Sequence, residues 1–170
     1  MDGAPNTDLN ISTLNPISKE FANELFNWKP EWKQFCSMDI TPYGNDLRAR
    51  IPSPSGNKNL DILIWFANDA DDLSLSFGGN HIHGNFVCSI PDGTFETWSI
   101  LATLKAIVSG DLVTFTDASK PGKFLDWIYL PSKSQIEDEL TNPHCSDAIQ
   151  LYSWDGIVNR VTTLSDITRG

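Results

Sequence analysis

The chain has 170 residues and a mass of 18.9 kDa, with 40% apolar and 20% charged residues, a folded globular composition rather than a disordered one. Twelve Lys and Arg stand against 22 Asp and Glu, a formal charge of -10. That balance argues against gripping a phosphate backbone, which needs a surplus of cations. Cys36, Cys88 and Cys145 are widely spaced with no CxxC, so reduced thiols in a cytoplasmic protein are expected. Met1 to Asp8 carries neither a basic nor an apolar run, so neither a signal peptide nor a membrane span is expected.

In chain order, residues 1–15 are polar and read as a flexible arm, and residues 16–170 as one domain. From Pro16 the pattern turns helical, with Ser18 as a cap and Phe21, Leu25 and Trp28 on one face. Pro30 ends that helix or opens a short second one with Trp32, Phe35 and Cys36 inward. Strands follow at 47–51, with one wet face, at 60–66, a nearly unbroken apolar run covered on both sides, and at 73–77. The last sends Leu73, Leu75 and Phe77 inward.

Pro91-Asp92-Gly93-Thr94 opens a helix predicted over 94–109, buried along Phe95, Trp98, Leu101, Ala102 and Val108 with Leu104 and Ile107 widening the stripe, covering the face of Leu73, Leu75 and Phe77 and stopped by Gly110. Strands at 111–116 and 124–130, a short helix at 132–140 and strands at 148–154 and 157–161 complete the chain. Most strands are joined by hairpin-length loops. The expected fold is therefore α+β: a single domain with a mainly antiparallel sheet of about six strands and helices packed mostly on one face.

His81-Ile82-His83 is the sharpest local feature, because residues two apart on a strand face the same side. With His144 and Cys145 from a distant loop, the two imidazoles would make a zinc-like site. HxH alone lacks the diagnostic ligand count, and the flanking glycines equally suit a turning backbone, so no metal and no cofactor is expected. Asp69, Asp71 and Asp72 fail the EF-hand pattern and read as a solvated hairpin tip. There is no phosphate-binding glycine loop, dinucleotide fingerprint or GxSxG elbow. Trp65 and Trp98 sit inside apolar patterns as core residues, whereas Trp28, Trp32, Trp127 and Trp154 lie near element ends, where an exposed edge can anchor a partner.

Lys29-Pro30-Glu31-Trp32, Ser76-Phe77-Gly78 running into His81-Ile82-His83, Phe86, Gly110-Asp111-Leu112-Val113 and Ser153-Trp154-Asp155-Gly156 together resemble small bacterial proteins of toxin-immunity loci. The resemblance spans residues 29 to 158. It implies a cytoplasmic α+β protein, monomeric or weakly dimeric, that binds a cognate toxin domain and occludes it. The acidic balance suits a basic nuclease as that toxin, since acidity speeds association with a cationic surface. It equally suits plain solubility.

The residues expected to meet the partner are Asp69, Asp71, Asp72, Trp154 and Asp155. Neither nucleic acid nor membrane is expected as a partner, and no catalytic residue is assigned. Two alternatives stand beside this reading: a metal-dependent hydrolase using His81, His83, His144 and Cys145, and a structural or scaffold subunit.

Overall fold

A computed structural model describes residues 9–42, 44–66, 72–89, 94–131, 133–141, 148–163 and 166. The chain enters through a 3₁₀ turn, Ile11–Thr13, and then helix α1, Pro16–Trp28. The described part of the expected arm is not loose: Leu9 and Leu14 are 4% and 6% exposed and belong to the core. The first turn of α1 is capped by Asn15, not Ser18. The Ser18 N–H donates to Asn15 Oδ1 at 2.7 Å. The buried Ser18 Oγ instead accepts from the Leu47 N–H at 3.0 Å, which ties α1 to the neighbouring sheet. Phe21, Ala22 and Leu25 form the buried stripe of α1.

The first sheet is an antiparallel meander in chain order: β1 (Cys36–Thr41), β2 (Gly44–Ile51), β3 (Ile62–Phe66), β4 (Leu73–Phe77) and β5 (Asn80–His83). Period-two alternation sends Leu47, Ala49, Ile51, Ile62, Ile64, Leu75 and Phe77 into the core. Arg48, Arg50, Leu63, Trp65, His81 and His83 lie on the other face. That face is open, so β3 is covered on one side only, and Leu63 is 37% exposed. The apolar run there is too short for composition to decide how many faces are covered.

The predicted helix over 94–109 divides. β6 (Phe86–Ser89) and β7 (Phe95–Trp98) form a separate two-stranded hairpin, and helix α2 runs only over Ile100–Ser109. Ser99 is its N-cap, accepting from the Ala102 N–H at 3.2 Å, and Gly110 at φ +80° closes it. The buried stripe is Ile100, Thr103, Leu104 and Ile107, so Leu104 and Ile107 are at its centre while Leu101, Ala102 and Val108 flank it, and it covers β4 as expected.

The second sheet has the order β11-β10-β8-β9, all antiparallel, from β8 (Leu112–Asp117), β9 (Phe124–Tyr129), β10 (Ala148–Tyr152) and β11 (Asn159–Thr163). Every residue of β8 is buried. On one face Leu112 joins Trp127 and Trp154 in the main core. On the other, Val113, Phe115, Ile128, Ile149 and Leu151 pack under Ile136 and Leu140 of helix α3 (Lys133–Thr141) in a second core. The α+β class with antiparallel pairing thus holds. The single six-stranded sheet gives way to eleven strands in three sheets among the described residues, and α3 lies on the face of β8 away from the main core.

The two large sheets meet at the β4–β5 turn. Gly78 and Gly79 have φ of +58° and +79°, the pairing of a two-residue type I′ hairpin. A Cβ on Gly78 would lie 2.5 Å from Thr114 Cγ2. Beside it the Trp127 indole N–H donates to the Phe77 carbonyl at 2.8 Å. Gly78→Ala therefore combines left-handed strain with overpacking, and should cost about 3 kcal/mol, read as a lower urea midpoint.

Cys36 is 2% exposed, and its thiol donates to the Trp32 carbonyl at 3.4 Å. Burial pushes this thiol from its ordinary 9.0 up to about 12. Because the folded value is the higher one, the contribution to stability is whole below pH 9 and is lost as the pH rises toward 12. Alkaline urea titrations should show this loss in the native chain and not in Cys36→Ala. Iodoacetamide at pH 8 should leave Cys36 unmodified until the chain is unfolded.

Candidate interaction surface

The strand geometry places His81 and His83 on the open face of the first sheet, as their spacing requires. Their ring centroids are 5.1 Å apart at 89°. Trp65 backs His81 at 6.3 Å. Ser74 Oγ lies 2.8 Å and Asp72 Oδ2 2.9 Å from His83 Nδ1. Serine and carboxylate thus meet the same ring nitrogen. A nucleophilic relay needs them on opposite nitrogens, so this trio is not arranged as a Ser-His-Asp triad. The shared contact leaves His83 Nε2 without either partner.

Among the described residues no group of three or more His, Cys, Asp or Glu is placed to hold a metal ion. His144 and Cys145, the other expected ligands, lie outside the described residues, as do Asp69 and Asp71. Asp72 is described, and its carboxylate is held by His83 at the start of β4.

Trp154 is 8% exposed and stacks edge-on against Trp32 at 5.7 Å, so the structure places it in the core rather than on a binding surface. Asp155 Oδ1 accepts from the Ser153 hydroxyl at 2.5 Å and the Ile157 N–H at 3.0 Å. Its carboxylate shapes the turn between β10 and β11. Of the tryptophans near element ends, Trp32, Trp127 and Trp154 are buried and Trp28 is half-buried, whereas Trp65 and Trp98, expected in the core, are also half-buried. At Trp154 a tertiary contact holds the backbone: Ser53 Oγ donates to its carbonyl.

The surface that sequence reasoning missed is the β6–β7 hairpin. Its register pairs Phe86 with Trp98 and Val87 with Thr97. Phe86 and Trp98 turn inward, the first against Trp127 at 5.5 Å and the second edge-on to Tyr129 at 5.1 Å. The opposite face carries Val87 and Phe95, which are 61% and 74% exposed. Phe95 and Trp98 sit three apart, a spacing that also suits one helix face, and this hid the hairpin. The signal that separates the cases is Ser99, a better cap than Thr94.

Beside the hairpin is a groove of about 230 Å³ lined by Phe86, Val87, Trp127, Ile128, Asp126, Asp138 and Glu139. Three carboxylates face it and, among the described residues, no cation. Asp126 stands on β9, the outer strand of its sheet, where Oδ1 accepts from the Trp127 N–H at 2.7 Å. Asp138 is on the wet side of α3, opposite Ile136 and Leu140. The arrangement suits an apolar contact beside a cationic one.

No family model matches the chain, and searches of curated proteins and of solved structures find no match. Among the described residues no helix is long and apolar enough to cross a membrane.

Because Val87 and Phe95 are exposed, Val87→Thr and Phe95→Ser should change stability by no more than about 0.5 kcal/mol in urea melts. Trp98→Ala, which removes the inward contact with Tyr129, should cost about 3 kcal/mol in the same assay.

Proposed function

We propose that this chain is a cytoplasmic binding protein that occludes a basic protein partner, in the manner of an immunity protein neutralising a cognate toxin domain. One observation carries the reading: an exposed apolar hairpin face, Val87 and Phe95, stands beside a groove walled by Asp126, Asp138 and Glu139. Exposed aromatics supply slow dissociation, and a carboxylate wall supplies fast approach and selects a cationic partner. The formal charge of -10 extends that field, with Asp69, Asp71 and Asp72 contributing from the β3–β4 connection. The resemblance of residues 29–158 to immunity proteins names the partner class, a basic nuclease domain being the best fit to the charge. The protein acts by binding, without turnover.

The competing reading is a metal-dependent hydrolase, favoured by the close pair His81 and His83. Zinc analysis of untagged protein separates the two. Stoichiometric zinc that is lost in His81→Ala would replace the binding reading. A scaffold subunit would instead show a stable homo-oligomer and no outside partner.

The decisive experiment is co-expression with the product of the neighbouring gene. Rescue of growth from a toxic neighbour is the expected result, together with a complex of the two purified proteins. Asp126→Asn with Asp138→Asn should slow association about tenfold at low salt, the deficit shrinking as salt rises. Phe95→Ser should speed dissociation about tenfold, equivalent to about 1.4 kcal/mol. A harmless neighbour that forms no complex, or rescue and kinetics untouched by these changes, would overturn the proposal.

A further inference from the structure

Three of the twelve cations in this acidic chain line one cleft. It has a volume of about 460 Å³ and opens between the uncovered face of the first sheet and the β8–β9 connection. Arg50 comes from β2, Lys58 from the short helical turn Lys58–Leu60, and Lys123 from the segment just before β9. Ser76, Asn59 and the backbone of Gly79 and Gly122 complete the polar lining. Both glycines have positive φ, +79° and +90°, so the main chain itself forms the wall.

Among the described residues Asp61 is the one carboxylate of the lining. Its side chain is 10% exposed and its two oxygens are committed, one to Arg50 Nε at 2.9 Å and the other to the Ser53 N–H at 3.1 Å. Among the described residues the lining therefore carries three positive charges and one negative, a balance of +2 within a chain of -10. Three other cations are paired with acids, Lys29 with Glu31, Arg48 with Asp39 and Lys120 with Asp117, whereas Lys19, Lys33, Lys105 and Arg160 are not paired among the described residues. Lys58 and Lys123 likewise have no carboxylate within 4.0 Å among the described residues, and what sets them apart is that they line one cleft with Arg50. Like charges brought together from distant parts of the sequence repel unless an anion lies between them.

We propose that this cleft binds a small dianion of the phosphate-ester class. Arg50, braced by Asp61, offers a planar guanidinium edge, and Lys58 and Lys123 supply point charges from other sides. A dianion matches the balance of +2, and the volume is that of a small-molecule site. The -10 charge of the whole chain excludes a long polyanion while leaving this local site favourable to a compact one. None of these residues belongs to the hairpin groove, so this site and the binding of a basic partner stand or fall separately.

The test is calorimetry on the full chain with phenyl phosphate and inorganic phosphate, and with succinate as a dicarboxylate comparator. Both phosphate probes should bind at one saturable site, with amide shifts in NMR concentrated at Gly79 and Gly122, and affinity should fall with added salt. Lys58→Ala and Lys123→Ala should each weaken binding about tenfold, and both together about a hundredfold. Lys19→Ala, on the exposed side of α1, should leave it unchanged. Both cleft lysines are exposed, so equal melting curves will show that the variants fold. Absence of saturable phosphate binding, binding that survives the double variant, or succinate bound as tightly as the phosphates would each overturn the proposal.

Discussion

The structure depends on a contact too close for a side chain. At the β4–β5 turn the backbone of Gly78 runs against the Thr114 side chain, and the Trp127 indole closes the same corner on the Phe77 carbonyl. Gly78 must be glycine twice over, for its φ of +58° and for the absent Cβ. The indole bond satisfies a buried N–H that would otherwise lie unpaired between the sheets. Two sheets with no hydrogen-bonded ladder between them are thereby fixed in position as well as packed. The surrounding core of Leu75, Phe77, Leu104, Ile107 and Leu112 is apolar and by itself non-directional.

From that corner the surfaces follow. The first sheet buries one face under α1 and α2 and leaves the other open. β8 is then enclosed between the main core and the core beneath α3, which explains six buried residues in succession. Trp127 serves both sides of the junction. Its indole holds the corner, and its ring supports Phe86, which seats the β6–β7 hairpin. Val87 and Phe95 are turned outward because Phe86 and Trp98 occupy the inward positions of the same register. The exposed apolar face is thus a consequence of pairing, and not a defect of packing.

Much of this was legible in the residues and some was not, for definable reasons. Alternation at Leu73, Leu75 and Phe77 announced a strand and its inward face, and His81 with His83 announced a shared side. Both follow from the period of a strand alone. The Cys36–Thr41 strand was hidden behind a proline-led turn, and its Ile40 is 78% exposed, so the apolar pattern there is weak. Phe95 and Trp98 fit both a hairpin and a helix face. Pairing between strands distant in the chain leaves no periodic trace, so three sheets read as one. Trp154 packs on Trp32 and is tied through its carbonyl to Ser53, one hundred and one residues away, and no local pattern carries that information. The groove was missed for the same reason: Val87, Asp126 and Asp138 come together only through the fold.

The charge distribution sharpens what the net charge alone suggested. A surplus of acids spread evenly would keep the chain soluble and do little else. Here the signs are sorted. Asp126, Asp138 and Glu139 share one groove with an apolar hairpin, while Arg50, Lys58 and Lys123 share a cleft on the open sheet. Sorting is costly, because like charges within each cluster repel, and among the described residues Arg50 is the one cation of the cleft paired with a carboxylate, Asp61. Solubility requires no such arrangement, since interspersed charges serve it better. Two unlike ligands, a cationic surface at one place and a compact anion at another, would account for it, and the cationic cleft is visible only once the fold has brought its three cations together.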